Sequence, residues 1–126
     1  MNLLVTFSKL FLQLIILGHY LACSFYAVGN QELLDTGYGW ITFYKSNIKN
    51  ELFGTKYINS LYWAFTTMVG VGYGDIVPIT MNERIFVIVA MLISSLIFAY
   101  IVNRIGSIVS AYNRVVESYR EKMLYV

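Results

Sequence analysis

Three glycines stand at every second position in the stretch TTMVGVGYGDIVP, which runs from Thr66 to Pro78. A regular helix through Gly70, Gly72 and Gly74 is unfavourable, since each glycine costs about 1 kcal/mol relative to alanine. Glycine does adopt positive φ angles that other residues avoid. Backbone with a glycine at every second residue can therefore point successive carbonyl oxygens to the same side, where together they would act as ligands for an ion.

One chain supplies only one column of such oxygens. A ring of identical segments would present stacked carbonyl oxygens to a central axis, and oxygens that replace an ion's hydration shell in this way are the basis of potassium selectivity. Such a ring requires an oligomer. A nucleotide-binding loop does not fit, because the spacing is G-x-G-x-G rather than G-x-G-x-x-G or the P-loop pattern. A glycine-rich extracellular turn is the alternative interpretation.

The composition of the chain is that of a membrane protein. Of its 126 residues, 58% are hydrophobic and 13% are charged, and the mean hydropathy is +0.62. Soluble domains are about 45–50% apolar and about 25% charged. The 11 tyrosines suit membrane–water interfaces. A net charge of +2 gives no indication of nucleic-acid binding, and a single cysteine excludes an internal disulfide.

Two apolar stretches flank the glycines. The first extends from about Leu3 to Val28 and contains no acidic residue and no proline. The second, from Ile85 to Val102, has 18 residues without a charge. As a helix it would be about 27 Å long, close to the roughly 30 Å thickness of bilayer hydrocarbon. Each is predicted to cross a membrane once; a cleaved signal peptide fits the first poorly, because it is too long and lacks a convincing cleavage site.

The residues between the two spans divide into two parts. Residues 29–56 are polar and rich in turn-forming residues, which predicts an extramembrane loop. From Tyr57 to Met68, twelve mostly apolar residues follow. They are enough for a helix but too few to span, so we expect a re-entrant helix. Its N-cap is predicted at Asn59 or Ser60. Met81-Asn82-Glu83 is expected to provide an N-cap and an acid in the first turn, and so to open the second spanning helix.

The basic residues indicate the orientation. The part after Val102 has four basic and two acidic residues, whereas residues 29–83 have three basic and five acidic ones. Short loops rich in lysine and arginine stay on the cytoplasmic side. Both termini are therefore predicted to be cytoplasmic, and we expect the plasma membrane as the location. Irregular backbone at membrane depth is tolerated only where it is buried in protein or lines water, so residues 70–75 are not expected to face lipid.

The residues from Thr67 to Asp75 resemble the signature of potassium channels, whose usual filter core is Thr-Val-Gly-Tyr-Gly. The stretch GHYLACSFYAVG from Gly18 is similar to the outer helix of the eag-like and cyclic-nucleotide-gated group. YINSLYWAFTTM resembles the pore helix of that group, and NERIFVIVAMLISSLIFAYIVNRIGSIVSAYN resembles its inner helix. The resemblance covers nearly the whole chain. It implies an all-α membrane protein with two transmembrane helices, a re-entrant pore helix and a selectivity filter, assembled as a four-fold tetramer.

The resemblance makes residues 1–126 a single pore domain. Its parts are expected to be an outer helix (3–28), an extracellular turret (29–56), a pore helix (57–69), the filter (70–75), an inner helix (83–110) and the start of a cytoplasmic linker (111–126). Members of the group carry a voltage sensor before this module and a cyclic-nucleotide-binding domain after it. Neither is in this sequence, so a fragment or minimal pore without a cyclic-nucleotide site is expected.

The resemblance assigns potassium binding to the filter carbonyls of Gly70, Val71, Gly72, Tyr73 and Gly74, with K⁺ as the only metal and no other cofactor. Gly70 departs from the family, which usually has threonine there and sometimes serine. That hydroxyl lines the innermost ion site, so this site is expected to be weaker here, whereas backbone carbonyls supply the other sites. Potassium selectivity is expected to persist, with altered conductance or a less rigid filter and with weaker barium block.

The resemblance also implies supporting roles near the filter. Asp75 is expected either to bond back to Tyr62 or Trp63 of the pore helix or to remain a solvated acid at the mouth. The hydroxyls of Thr66 and Thr67 either line the cavity beneath the filter or bond to carbonyls of their own helix. The C-terminus of the pore helix carries partial negative charge, which favours a cation in that cavity.

Phe98 and Val102 lie four residues apart on the inner helix and are predicted to face the pore, with Ser94 or Ser95 above them and Gly106 below. A hydrophobic constriction there can close a pore by dewetting. Packing against another helix or lipid is the alternative. Relatives often have a glycine hinge where Ser94 stands, so Gly106 is left as the flexible point.

Two further side chains, His19 and Cys23, are one helical turn apart and would make at best a weak metal pair. We expect His19 to pack against the pore helix and Cys23 to be a small buried side chain. No catalytic constellation is present, so an enzyme is not expected. The predicted function is passive K⁺ conduction by a homotetramer, with the lipid bilayer, K⁺ and its own copies as partners. A poorly selective cation pore and a non-conducting two-span membrane subunit are the alternatives.

Overall fold

The computed structural model of the protein describes residues 3–43 and 48–125. Its elements in chain order are α1 (Leu3–Thr36), α2 (Trp40–Phe43), a 3-10 turn (Ile48–Asn50), α3 (Phe53–Val69) and α4 (Met81–Leu124). These described residues contain no β-strand, which confirms the predicted all-α class. Residues 44–47 of the predicted turret, Lys45 among them, and residues 1, 2 and 126 of the predicted domain lie outside the described part of the chain.

Two of the helices, α1 and α4, are long and apolar enough to cross a membrane. They contain the two predicted spans, and both continue beyond them. α1 runs past Val28 to Thr36, where Gly37 takes a φ of 74° and donates its N–H to the Leu33 carbonyl at 2.9 Å. This left-handed glycine is a common way for a helix to end. The 44 residues of α4 correspond to about 66 Å of helix, about twice the hydrocarbon thickness.

The start of α3 differs from the prediction. The helix begins at Phe53, after Leu52 in extended conformation (φ −62°, ψ 152°), and Leu52 makes no side-chain cap. The predicted caps are therefore wrong: Asn59 donates to the Thr55 carbonyl at 2.8 Å, and Ser60 donates to the Lys56 carbonyl at 2.9 Å, both inside the helix. The first turn of α3 is largely exposed. Water can therefore satisfy its free backbone N–H groups, and no side-chain cap is needed.

The ring of Phe25 in α1 forms the centre of the core. It lies between the ring of Trp40, with 4.5 Å between centroids, and that of Trp63, with 3.7 Å. The indole N–H of Trp40 donates to the Phe25 carbonyl at 3.2 Å, and a side chain at Gly29 would overlap that indole. Ala90 brings α4 onto the same cluster. This aromatic stack holds α2 and α3 against α1, and so also positions the residues that follow α3.

Candidate functional site

Residues 70–75, called the glycine segment below, connect α3 to the loop before α4. Gly70, Gly72 and Gly74 have φ angles of 86°, 56° and 78°, so every second residue is in the left-handed region. Among the described residues, and apart from the two chain neighbours, no atom lies within 4 Å of a Cβ added at any of the three. The backbone conformation, and not a lack of space, therefore requires glycine at these positions. The alternation is that expected of backbone whose carbonyl oxygens share one side.

The carbonyl oxygen of Thr66, in the last turn of α3, holds the start of the glycine segment. It accepts the N–H of Gly70, that of Val71 at 2.9 Å and that of Gly72 at 3.2 Å. Gly70 is the left-handed C-cap of α3, where a side chain would be strained. The hydroxyl of Thr66 donates to the Trp63 carbonyl at 2.9 Å, a bond within its own helix. The sequence marked Gly70 as a departure from the family, and its place as a helix cap gives a local reason for glycine.

Aromatic residues on opposite sides of α3 have different surroundings. Trp63 is buried against Phe25, whereas the Tyr62 ring lies parallel to that of Tyr73, with 6.4 Å between centroids and 3° between planes. Tyr73 is 71% exposed, and Asp75 is also exposed. Thr66 and Thr67 are both half-buried. In a single chain the glycine segment thus has a large uncovered surface.

A buried carboxylate holds the loop that follows the glycine segment. Glu83, in the first turn of α4, is completely buried. One of its oxygens, Oε2, accepts the backbone N–H of Ile79 at 2.8 Å and that of Thr80 at 3.2 Å. The N–H of Trp40 in α2 lies 3.1 and 3.3 Å from the two carboxylate oxygens. Glu83 therefore ties the loop after the glycine segment to α2, which itself stacks on α1.

Thr80 is the N-cap of α4, one residue before the predicted start at Met81. Its hydroxyl accepts the N–H of Glu83 at 3.2 Å, and the two residues form a capping box. The expectation of an acid in the first turn is confirmed. The pattern Thr-x-x-Glu from Thr80 to Glu83 was the sequence signal that could have located this cap. Asn82 instead donates to Glu32 of α1, at 2.6 Å between nitrogen and oxygen, a contact with no local sequence signal.

The candidate pore residues of α4 lie beside its buried face. That face includes Val87, Ala90, Ser94 and Ile101. Ser95 and Val102 are exposed and Phe98 is half-buried, on a stripe about a quarter of a turn away. Gly106 follows on the same stripe and is exposed.

The two serines that were alternatives for this stripe have different environments. Ser94 is 1% exposed, and its hydroxyl has no hydrogen-bond partner among the described residues. Ser95 is exposed and donates to the Leu92 carbonyl at 2.9 Å. Ser95 is thus exposed like Val102, whereas Ser94, four residues before Phe98, belongs to the buried face of α4.

His19 contacts α3 as expected, because its Nδ1 lies 2.7 Å from the Tyr57 hydroxyl. The Sγ of Cys23 is 3.7 Å from His19 Nε2. Cys23 is exposed, so the prediction of a buried side chain is wrong; it lies on the face of α1 that the rest of the chain leaves uncovered. Within residues 3–43 and 48–125, no group of three or more His, Cys, Asp or Glu side chains could hold a metal. The backbone oxygens of the glycine segment are the candidate ion ligands.

Comparison with known families places these features in context. Residues 32–111 match the family described as ion channel, and this range includes α2, α3, the glycine segment and most of the apolar part of α4. The match covers more than half of the chain. It confirms the family resemblance that the sequence motifs predicted.

Several vertebrate proteins are similar along most of this chain. The voltage-gated inwardly rectifying potassium channel KCNH2 of Sus scrofa is 32% identical over 122 residues, which cover 88% of this chain and 11% of that protein. KCNH6 of Rattus norvegicus, described in the same words, is 31% identical over 123 residues, covering 88% of this chain and 13% of its own length. KCNH7 of Mus musculus is 32% identical over 123 residues, which cover 88% of this chain and 10% of that protein. The chain thus spans about a tenth of the length of these relatives.

Proposed function

This chain belongs to the ion-channel family, and on that premise we propose that it forms the pore of a tetrameric channel that conducts potassium passively. The observation that carries the proposal is the positive φ at Gly70, Gly72 and Gly74. With glycine at every second residue, the carbonyl oxygens of residues 70–74 can face one axis and replace the water around a potassium ion. The oxygens are fixed in advance, because the segment is held to α3 by the Thr66 carbonyl.

Four copies are needed because one glycine segment provides only one side of an ion site. The exposed side chains of Val71 and Tyr73 leave a surface that neighbouring copies can cover. α1 and α4 cross the bilayer in this proposal, with both termini in the cytoplasm and the loop of residues 37–52 outside. The C-terminal end of α3 carries partial negative charge and favours a cation beneath the filter. Phe98 and Val102 then line the pore below it, where apolar side chains can exclude water.

The proposal is tested by the reversal potential of the purified chain in a planar bilayer, with potassium on one side and sodium on the other. We expect the reversal potential to lie close to the potassium equilibrium value. A value near zero would mean a poorly selective cation pore, the alternative that Gly70 favours because a family hydroxyl is missing there. Absence of current from correctly inserted protein would instead support the non-conducting two-span subunit.

Gly70→Thr is expected to change both ion binding and stability. The added hydroxyl supplies a ligand that can replace water around an ion at the innermost site. Barium should therefore block the variant at about ten-fold lower concentration than the parent. The β-branched side chain at a φ of 86° should cost about 1–2 kcal/mol per chain. Barium dose–response curves and thermal melting in detergent measure the two effects.

Gly70→Ala is the matched control for this variant. Alanine meets the same backbone strain but brings no hydroxyl, so it should melt like Gly70→Thr while keeping the barium sensitivity of the parent. Equal barium block in the two variants would refute the role given to the missing hydroxyl.

A further inference from the structure

The apolar residues on one side of α4 do not stop where the membrane span stops. Starting from Phe98, they recur at alternating steps of four and three residues to the end of the helix. We call this set the seam; it consists of Phe98, Val102, Ile105, Val109, Tyr112, Val116, Tyr119 and Met123. Steps of four and three are a heptad repeat, with Val102, Val109, Val116 and Met123 at the a positions and the others at d.

Within residues 3–43 and 48–125, most of the outer part of the seam is exposed, although Tyr112 lines a cavity together with Leu3 and Thr6 at the start of α1. Val109 is 45% exposed, Tyr112 is 56% exposed and Tyr119 is 65% exposed. A straight α4 is about twice as long as the hydrocarbon is thick, so lipid can cover only the part of the seam nearest the span. The residues from 104 onward also include four basic and two acidic side chains, which belong in water. An apolar stripe in that setting marks a surface for another protein.

The period of the seam identifies the kind of partner. A straight α-helix has 3.6 residues per turn, so a strict 3.5-residue repeat drifts by about 20° in each heptad unless the helices supercoil around one another. The seam keeps that repeat from Phe98 to Met123. α4 is one unbroken helix over the whole range. A helix lying on the membrane surface would need a bend after the span, and the structure has none.

The neighbouring positions favour more than two helices. Ile108 and Val115 stand at g positions next to the seam, so in these two heptads the apolar face covers three of every seven residues, as in helices of a bundle. Leucine, which at d favours two strands when valine is at a, is missing from the seam. The charged residues Arg114, Glu117 and Glu121 are at f and b, on the outside, whereas Arg120 and Lys122 are at the e and g positions that border the last turn of the seam.

We propose that residues 105–123 of α4 form a parallel four-helix coiled coil with three further copies of the chain, directly beneath the pore. This inference rests on the proposed four-fold pore, because the seam continues the stripe of Phe98 and Val102 that faces its axis. The coiled coil extends the contact between subunits beyond the membrane. It also holds the cytoplasmic ends of the four inner helices at a fixed separation.

Disulfide cross-linking of the full chain tests the register. In a Cys23→Ser background, Val109→Cys and Val116→Cys place one thiol at an a position, where the same residue of a neighbouring helix is close. Ser107→Cys and Arg114→Cys place it at f, on the outside, as matched controls. Because a disulfide requires Cβ atoms within about 4.5 Å, mild oxidation should give covalent dimers about ten-fold more efficiently from the a positions than from the f positions.

The outcomes separate this inference from the proposed function. The Cys23→Ser parent is first checked for a tetrameric mass and for potassium flux. If the parent is tetrameric and conducts but the a-position cysteines link no better than those at f, the coiled coil is wrong and the pore stands. Equal cross-linking at the a and f positions is expected if residues 105–123 of the four chains lie apart on the bilayer surface. If the parent is not a tetramer, the pore and the coiled coil both fail.

Discussion

Replacing Gly72 with alanine is expected to abolish potassium conduction while the chain still inserts into the membrane. Gly72 has a φ of 56°, a region in which an L-residue with a Cβ costs roughly 1–2 kcal/mol. A tetramer contains four copies, so the filter would carry roughly 4–8 kcal/mol of strain. Rotation of the adjoining peptide relieves the strain but turns a carbonyl oxygen away from the axis. The conducting arrangement should become about a thousand-fold rarer or more, since each 1.4 kcal/mol is a factor of ten.

Potassium flux into liposomes measures this loss, and Gly54→Ala is the control. Gly54 also has no atom within 4 Å of an added Cβ, but it lies in α3 and has no positive φ. Alanine there should preserve flux, because it suits a helix better than glycine does. Flux at the parent level from Gly72→Ala would show that the left-handed backbone at Gly72 is not needed for conduction.

The second large effect is expected at Glu83. Glu83→Gln keeps the shape of the side chain but replaces one carboxylate oxygen by an amide NH₂, which cannot accept the N–H groups that now point at it. The carboxylate receives the N–H groups of Ile79, Thr80 and Trp40, all around a fully buried side chain. Leaving one buried donor unsatisfied costs about 1–3 kcal/mol. We therefore expect a loss of about 1–3 kcal/mol in the free energy of unfolding of each chain.

Thermal unfolding in detergent measures that loss, with Glu117→Gln as the control. Glu117 is exposed on the part of α4 beyond the span, so its replacement should leave the melting temperature nearly unchanged. Because the Glu83 bonds hold the loop after the glycine segment, we expect the Glu83 variant of the proposed pore to conduct less stably during long openings. A melting temperature equal to that of Glu117→Gln would mean that these bonds contribute little to the fold.

The spans and the glycine pattern were readable from the sequence because they depend on local properties. An uncharged run of 18 residues and glycines at every second position need no tertiary information. The bonds of Glu83 to Trp40, and of Glu32 to Asn82, join residues more than forty positions apart. A single sequence contains no signal for such pairs. The continuation of α1 to Thr36 depends on the same kind of contact.

The errors in the sequence analysis have physical causes of their own. Asn59 and Ser60 are good capping residues, but α3 begins earlier because its exposed first turn does not need a side-chain cap. The cap at Thr80 was visible as a Thr-x-x-Glu pattern, whereas the prediction placed the cap within Met81-Asn82-Glu83. Cys23 lies on a face of α1 that the described residues leave uncovered, so its burial within the chain cannot be judged from the type of residue.

The most direct test of the proposed pore is the electron density of the purified protein in potassium. We expect a four-fold assembly in which residues 70–74 of four chains surround the axis, with a column of separate ion densities between their carbonyl oxygens. Density that places the glycine segments away from a common axis, or an assembly without four-fold symmetry, would contradict the account.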